Sequence, residues 1–182
     1  MATGLRRITL NHAGNDVTAM LQEQNHNGGW VIILSLVIAF MLTAMPLPDS
    51  VHAWRPAWVA MVLIYWCMAL PERVGITISW MLGILLDVQQ GAVFGQNALA
   101  LAIIAYITIK SYQRLRVFPL IQQAIIVSCY VMIYQLLVLW IKEMTGVPPT
   151  TWTFWMPAVT SMVLWPWLFI ILRDMRRKYK VV

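Results

Sequence analysis

Apolar residues are grouped into six long stretches, separated by short polar or proline-containing breaks. Stretches of this length, with charged residues only at their ends, are typical of membrane-spanning helices. The pattern therefore predicts an all-α, polytopic membrane helix bundle with six spans. The six stretches are Trp30 to Met45, Ala57 to Leu70, Val74 to Val88, Val93 to Ile109, Pro119 to Ile141 and Thr151 to Leu172.

The second and third stretches are short for a membrane crossing. As helices they would measure about 21 to 23 Å, whereas the hydrocarbon core of a bilayer is about 30 Å thick. They form either two spans, helped by local thinning or flanking residues, or one re-entrant hairpin. One helix from Val74 to Lys110 would be about 55 Å long, so a break is predicted near Gln89-Gln90-Gly91.

Composition excludes several classes of protein. Of the 182 residues, 60% are hydrophobic and 11% are charged, whereas soluble domains contain about 25% charged residues. A soluble globule, a disordered chain, a coiled coil and a disulfide-stapled domain are therefore excluded. Cys67 and Cys129 lie inside apolar stretches and are interpreted as small buried hydrophobic residues. The chain is predicted to be an integral membrane protein.

The distribution of basic residues predicts the orientation. Six spans would place both termini on the side that holds eleven Lys and Arg residues, and only Arg55 and Lys142 on the other side. By the positive-inside rule, both termini are cytoplasmic. The domains are then a polar tail at 1–29, a membrane domain at 30–172 and a basic tail at 173–182.

The basic residues between spans do not indicate nucleic-acid binding. The C-terminal cluster is interpreted as membrane-surface anchors, or as a docking point for an acidic cytoplasmic partner: Arg173, Arg176, Arg177, Lys178 and Lys180.

Catalytic and metal-binding patterns are missing from the sequence. No carboxylate pair, activated nucleophile or metal-ligand spacing is visible, and His12, His26 and His52 lie outside the apolar stretches. The sequence predicts no enzyme activity, no metal and no cofactor.

One acidic residue at the edge of an apolar stretch is the main candidate for a functional contact. Asp87 either makes a specific polar contact or lies at the outer interface and caps the turn before the fourth span. It falls in a four-residue spacing with Gly83, Gly91 and Gly95, which resembles the small-residue pattern of closely packed helices.

A second candidate is the pair Arg55-Pro56, because a basic residue on the outer side departs from the charge bias. The arginine either pairs with Asp49 or Asp87, or extends to lipid headgroups beside neighbouring tryptophans.

Five ordered segments carry a resemblance to a known family: MPLPD, WRPAWV, YWCMALPERV, GILLDVQQG and VLWPWLFIILR. Together they resemble the rod shape-determining MreD proteins of Gram-negative bacteria. The resemblance implies a non-enzymatic inner-membrane subunit of the cell-elongation machinery. It also implies the partners MreC, MreB, RodA and penicillin-binding protein 2, and a fold like the six-helix substrate-binding subunits of energy-coupling-factor importers.

Two functional hypotheses stay open at this stage. In the first, the spans are a scaffold in contact with membrane lipids and bind other membrane helices, with Gly83, Gly91 and Gly95 as the contact seam. In the second, the chain is a small-molecule-binding membrane subunit of a transporter. The second rests on a polar cluster beside the turn, which Arg55 could face: Asp87, Gln89, Gln90, Gln96 and Asn97.

Overall fold

The structure is a computed structural model that describes residues 29–46, 54–146 and 152–179. These residues form six α-helices and one short 3-10 helix, Trp152–Trp155, and contain no strand. The predicted all-α architecture is confirmed, with one helix in each apolar stretch. The helices are α1 (Gly29–Ala44), α2 (Trp58–Ala69), α3 (Ile76–Gln90), α4 (Gln96–Leu115), α5 (Leu120–Met144) and α6 (Met156–Lys178).

Two helices extend six residues beyond the ends of their apolar stretches. The break between α3 and α4 lies where it was predicted, at Gly91. However, α4 continues past Ile109 to Leu115, and α6 continues past Leu172 to Lys178. Lysine and arginine are good helix formers, so a helix extends beyond the point where its hydrophobicity ends. In the described part of the chain, α5 and α6 are long and apolar enough to cross a membrane.

Helix α2 lies at the centre of the bundle. Eleven of its twelve residues are buried, and it packs against α1, α4, α5 and α6. Its sequence contains no charged residue and has no polar face that would have to reach water. The indole Nε1 of Trp66 donates a hydrogen bond to Ser35 Oγ of α1 at 2.8 Å, which satisfies a polar atom that is otherwise surrounded by apolar side chains.

Contacts between the helices fix their directions. Helix α2 runs parallel to α6, because the Ala57 amide donates to Ser161 Oγ near the start of both helices and the Tyr65 and Phe169 rings meet further along. Helix α1 runs antiparallel to α2, because Ser35 contacts Trp66 while Arg55 reaches the end of α1. The start of α1 and the end of α6 therefore lie at the same end of the bundle.

This end of the bundle, which we call the basic end, carries most of the charge. Within the three described ranges it holds eight basic and two acidic residues, whereas the opposite end holds two of each. Three helices, α2, α4 and α6, have their C-termini at the basic end, where the helix dipole favours cations. The basic residues at this end are Arg73, Lys110, Arg114, Arg116, Arg173, Arg176, Arg177 and Lys178.

Candidate functional site: the turn between α3 and α4

Helices α3 and α4 make direct backbone contact at Gly83. A Cβ atom added at Gly83 would lie 2.6 Å from the amide nitrogen of Ala98 and 2.8 Å from the carbonyl carbon of Asn97. These distances are far below van der Waals contact, so only glycine permits this helix separation. Gly83 therefore serves packing within the chain.

Gly91 and Gly95 have a different role from Gly83, although their spacing in the sequence is the same. Both have positive φ angles, +59° and +94°, and a Cβ at either position would meet no atom within 4 Å. Gly91 ends α3 in the left-handed conformation typical of helix C-termini, and Gly95 precedes α4. These two glycines allow the turn and make no close helix contact within the described chain.

The carboxylate of Asp87 caps the start of α4. Its Oδ1 accepts a hydrogen bond from the Asn97 amide at 2.8 Å, and its Oδ2 accepts from the amides of Gly95 and Ala98 at 2.9 and 3.4 Å. A negative charge at a helix N-terminus satisfies amides that have no partner inside the helix. Asp87 is only 1% exposed, so it makes this cap inside the protein and not on its surface.

Side chains around Asp87 connect four helices. Asn97 donates from Nδ2 to Gln90 Oε1 at 3.3 Å, and its Oδ1 accepts from the hydroxyl of Tyr134 in α5. Gln89 donates from Nε2 to the carbonyl of Phe40 in α1 at 3.1 Å. We call Asp87, Gln90, Asn97 and Tyr134 the Asp87 cluster. Gln96, which the sequence placed in the same group, is buried beside it.

Arg55 caps the end of α1. Its Nη2 donates hydrogen bonds to the carbonyls of Leu42 and Met45 at 3.0 and 3.1 Å. Within the described residues it makes no hydrogen bond to Asp87, and Asp49 lies outside them. Partial burial lowers the pKa of the guanidinium, but arginine stays charged in proteins. The neighbouring Pro56 is half-buried and its carbonyl accepts from the Trp58 amide at 2.9 Å, at the entry to α2.

Replacing Arg55 by lysine is expected to destabilise the bundle by about 1 kcal/mol, because the lysine side chain ends one bond short of Nη2, which donates both hydrogen bonds. Thermal unfolding of the purified protein in mild detergent measures the effect. Lys142→Arg, a change between the same residue types at the same end of the bundle, is the control. Equal unfolding temperatures for Arg55→Lys and the unchanged protein would contradict this role.

Two further capping residues were not identified from the sequence. Arg116 donates from Nε and Nη2 to the carbonyls of Met68 and Ala69 at the end of α2, at 3.0 and 2.6 Å. Gln123 donates to the carbonyls of Leu115 and Phe118 at the end of α4. The signal for Gln123 was an amide side chain inside an apolar stretch. Arg116 had no such signal, because its position fits any basic loop residue.

The C-terminal anchor residues form the last turns of α6. Arg173, Arg176, Arg177 and Lys178 belong to this helix, whereas Lys180 lies outside the described residues. The Nε of Arg173 is 3.7 Å from Asp174 Oδ1, and both side chains are exposed, so this ion pair adds little stability.

The described ranges contain no candidate metal site and no paired cysteines. They contain no group of three or more His, Cys, Asp and Glu side chains that could hold a metal ion. Cys67 is buried and its Sγ donates to the Val74 carbonyl at 3.6 Å, while Cys129 is exposed. The three histidines lie outside the residues that the structure describes.

Comparisons with known proteins assign the family. The family model described as rod shape-determining protein MreD matches residues 24–175. The rod shape-determining protein MreD of Haemophilus influenzae is 37% identical over 153 residues, which cover 84% of this chain and 94% of that protein. No solved structure is significantly similar. The family match covers most of the chain and includes every described helix start, so the chain belongs to the rod shape-determining MreD family.

Proposed function

We propose that this member of the MreD family is a non-enzymatic membrane scaffold subunit of the bacterial cell-elongation machinery. In this role it helps to maintain rod shape by linking MreC and the peptidoglycan synthases RodA and penicillin-binding protein 2 to cytoplasmic MreB filaments. One observation supports a scaffold more than any other. The buried carboxylate that could have carried chemistry, Asp87, is bonded to three amides of its own chain.

The same observation bears on the alternative of a small-molecule-binding transporter subunit. A ligand at the Asp87 cluster would have to displace the hydrogen bonds that start α4 and connect it to α5. The protein would lose about as many internal hydrogen bonds as it formed with the ligand. The hydrogen bonds of the cluster therefore favour a structural role.

A partner helix is proposed to bind the outward face of α3. This helix packs mainly on α4, through the side that contains Gly83, and its other side exposes large apolar side chains. Lipid covers such a face in an isolated protein, and a transmembrane helix of similar apolarity can replace the lipid. The proposed occupant is the single membrane span of MreC. The exposed residues include Trp80, Met81, Leu85 and Val88.

Co-purification tests both the scaffold and this face. We expect the tagged protein to recover MreC and a peptidoglycan synthase from mild-detergent membranes. Leu85→Trp should reduce the recovery of MreC several-fold, because the indole ring is larger than the leucine side chain and disturbs helix packing at that face. The control is Leu136→Trp, on the exposed side of α5. Absence of all elongation proteins would contradict the scaffold, and equal recovery with both variants would contradict only the α3 face.

The proposed topology has all six helices crossing the bacterial inner membrane, with both termini in the cytoplasm. Residues 1–29 and 173–182 are then cytoplasmic. The alternating helix directions and the surplus of positive charge at the basic end support this orientation. The arrangement is proposed to resemble the membrane subunits of energy-coupling-factor importers.

Labelling of introduced cysteines tests the orientation. A membrane-impermeant maleimide added to intact spheroplasts is expected to label Glu143→Cys, at the outer end, but to label Lys178→Cys only after the membrane is permeabilised. The unsubstituted protein, with Cys67 buried and Cys129 within the apolar helix α5, provides the background signal. The reverse pattern would contradict the proposed orientation.

A further inference from the structure

Three arginines, one that follows α4 and two in α6, lie at the basic end around the end of the central helix α2. Arg116 follows α4 and bonds to the last carbonyls of α2. Arg173 and Arg176 follow Phe169 on α6, one and two turns beyond its ring contact with Tyr65 at 5.6 Å. Arg173 and Arg176, four and seven residues after Phe169, lie on the face of α6 that carries this ring. The charges of all three guanidinium groups act on the Tyr65 hydroxyl. We call these three residues the arginine cluster.

The arginine cluster has more hydrogen-bond donors than acceptors. A guanidinium carries five N–H groups, and Arg116 uses its Nε–H and one Nη2–H for α2, so three remain. Asp174 is the acidic residue within range of the same position, and it lies 3.7 Å from Arg173 in an exposed ion pair. The cluster thus keeps a net positive charge with N–H groups available for an anion.

Exposed apolar side chains lie close to the arginine cluster in the chain, on α6 and at the start of α5. Val117 and Ile121 follow Arg116 in the chain and are 83% and 74% exposed. Ile170, one turn before Arg173 on the same face of α6, is 41% exposed. A soluble acidic segment would meet the arginines but has no acyl chains that could pack on these side chains. A phospholipid would cover them with its acyl chains while its phosphate meets the guanidinium groups.

We propose that the arginine cluster is a binding site for the phosphate of an anionic phospholipid, with the acyl chains lying on the adjacent apolar surface. Arg173 and Arg176 bind the headgroup, and Arg116 binds it while holding the end of α2. This site goes beyond the scaffold function, because it ties the structure of the bundle to the lipid composition of the leaflet that faces its basic end. Basic pockets at the cytoplasmic ends of membrane helices bind anionic headgroups in this way.

Native mass spectrometry of the full chain in mild detergent tests the site. We expect dioleoyl phosphatidylglycerol to be retained about tenfold more strongly than dioleoyl phosphatidylcholine, since each basic residue near a membrane surface adds several-fold to binding. The double variant Arg173→Gln/Arg176→Gln should lose this preference. The control, Arg177→Gln/Lys178→Gln, removes the same charge from the same helix end and should keep it. Arg173→Lys/Arg176→Lys should also keep most of it.

Several outcomes would overturn the proposal. One is that the unchanged protein shows no preference for phosphatidylglycerol, and another is that both glutamine pairs lose this preference equally. A third is that millimolar inorganic phosphate displaces the lipid fully, which would assign the site to free phosphate. Displacement by a polyglutamate peptide would assign it to an acidic protein segment. The glutamine variants must unfold in phosphatidylcholine at the same temperature as the unchanged protein. If they unfold at a lower temperature, the lipid preference of the lysine variant decides the result. Loss of lipid binding with MreC recovery intact would separate this site from the scaffold role.

Discussion

Adding a single methyl group at Gly83 is expected to destabilise the bundle by about 3 kcal/mol, the upper part of the range for overpacked cores. The new Cβ would overlap the backbone of α4 at Ala98 and Asn97. A backbone cannot rotate away as a flexible side chain can, so α3 and α4 would have to separate along their whole contact. The separation would also lengthen the hydrogen bonds from Asp87 to the start of α4.

Gly83→Ala is measured by thermal unfolding in detergent, where this loss corresponds to roughly 10 °C for a chain of this size. Restoration of rod shape in cells that lack their own MreD provides a second measurement. The matched control is Gly75→Ala, since a Cβ at Gly75 meets nothing within 4 Å and its φ of −92° suits any residue. If both alanine variants unfold at the same temperature, the close contact between α3 and α4 is not a determinant of stability.

Removing the carboxylate of Asp87 is expected to have a similarly large effect. Asp87→Ala would leave three amides at the start of α4 without their acceptor in a site that is 1% exposed. Each buried donor without a partner costs about 1 to 3 kcal/mol, and part of this is recovered by relaxation, so we expect a loss of about 3 kcal/mol. Asp87→Asn keeps one acceptor oxygen and should lose about half as much.

The same unfolding measurement separates this effect from a general effect of charge. Asp174→Asn removes an acidic residue with a side chain that is 64% exposed, and we expect almost no change. An Asp87→Ala protein as stable as Asp174→Asn would show that water or other groups replace the carboxylate at no cost. An Asp87→Asn protein less stable than Asp87→Ala would show that the amide group introduces a new conflict.

The six helices could be predicted because each lies in its own apolar stretch and polar or proline-containing breaks separate the stretches. The ends of α4 and α6 could not, because Lys110 and Arg173 end an apolar stretch without ending a helix. The end of an apolar stretch marks a change in side-chain polarity, whereas a helix ends where its last carbonyl groups find other partners.

The importance of Asp87 could be predicted, but its partners could not. An acidic residue at the edge of an apolar stretch is unusual enough to be noticed, whereas backbone amides have no signature in the sequence. The four-residue glycine spacing combined two different roles. Gly83 lies within a helix, where that spacing places residues on one face, but Gly91 and Gly95 lie in the turn, where helical periodicity no longer applies.

The central position of α2 has a consequence for biosynthesis. The chain is made from its N-terminus, so α2 is complete before α4, α5 and α6, which later enclose it. During that interval these later neighbours are absent, so in the proposed topology lipid or the insertion machinery must surround it. A helix that faces lipid first and protein afterwards needs to be apolar on every side, although it ends with eleven of twelve residues shielded from lipid. The composition of α2 therefore reflects the order of synthesis as well as the finished bundle.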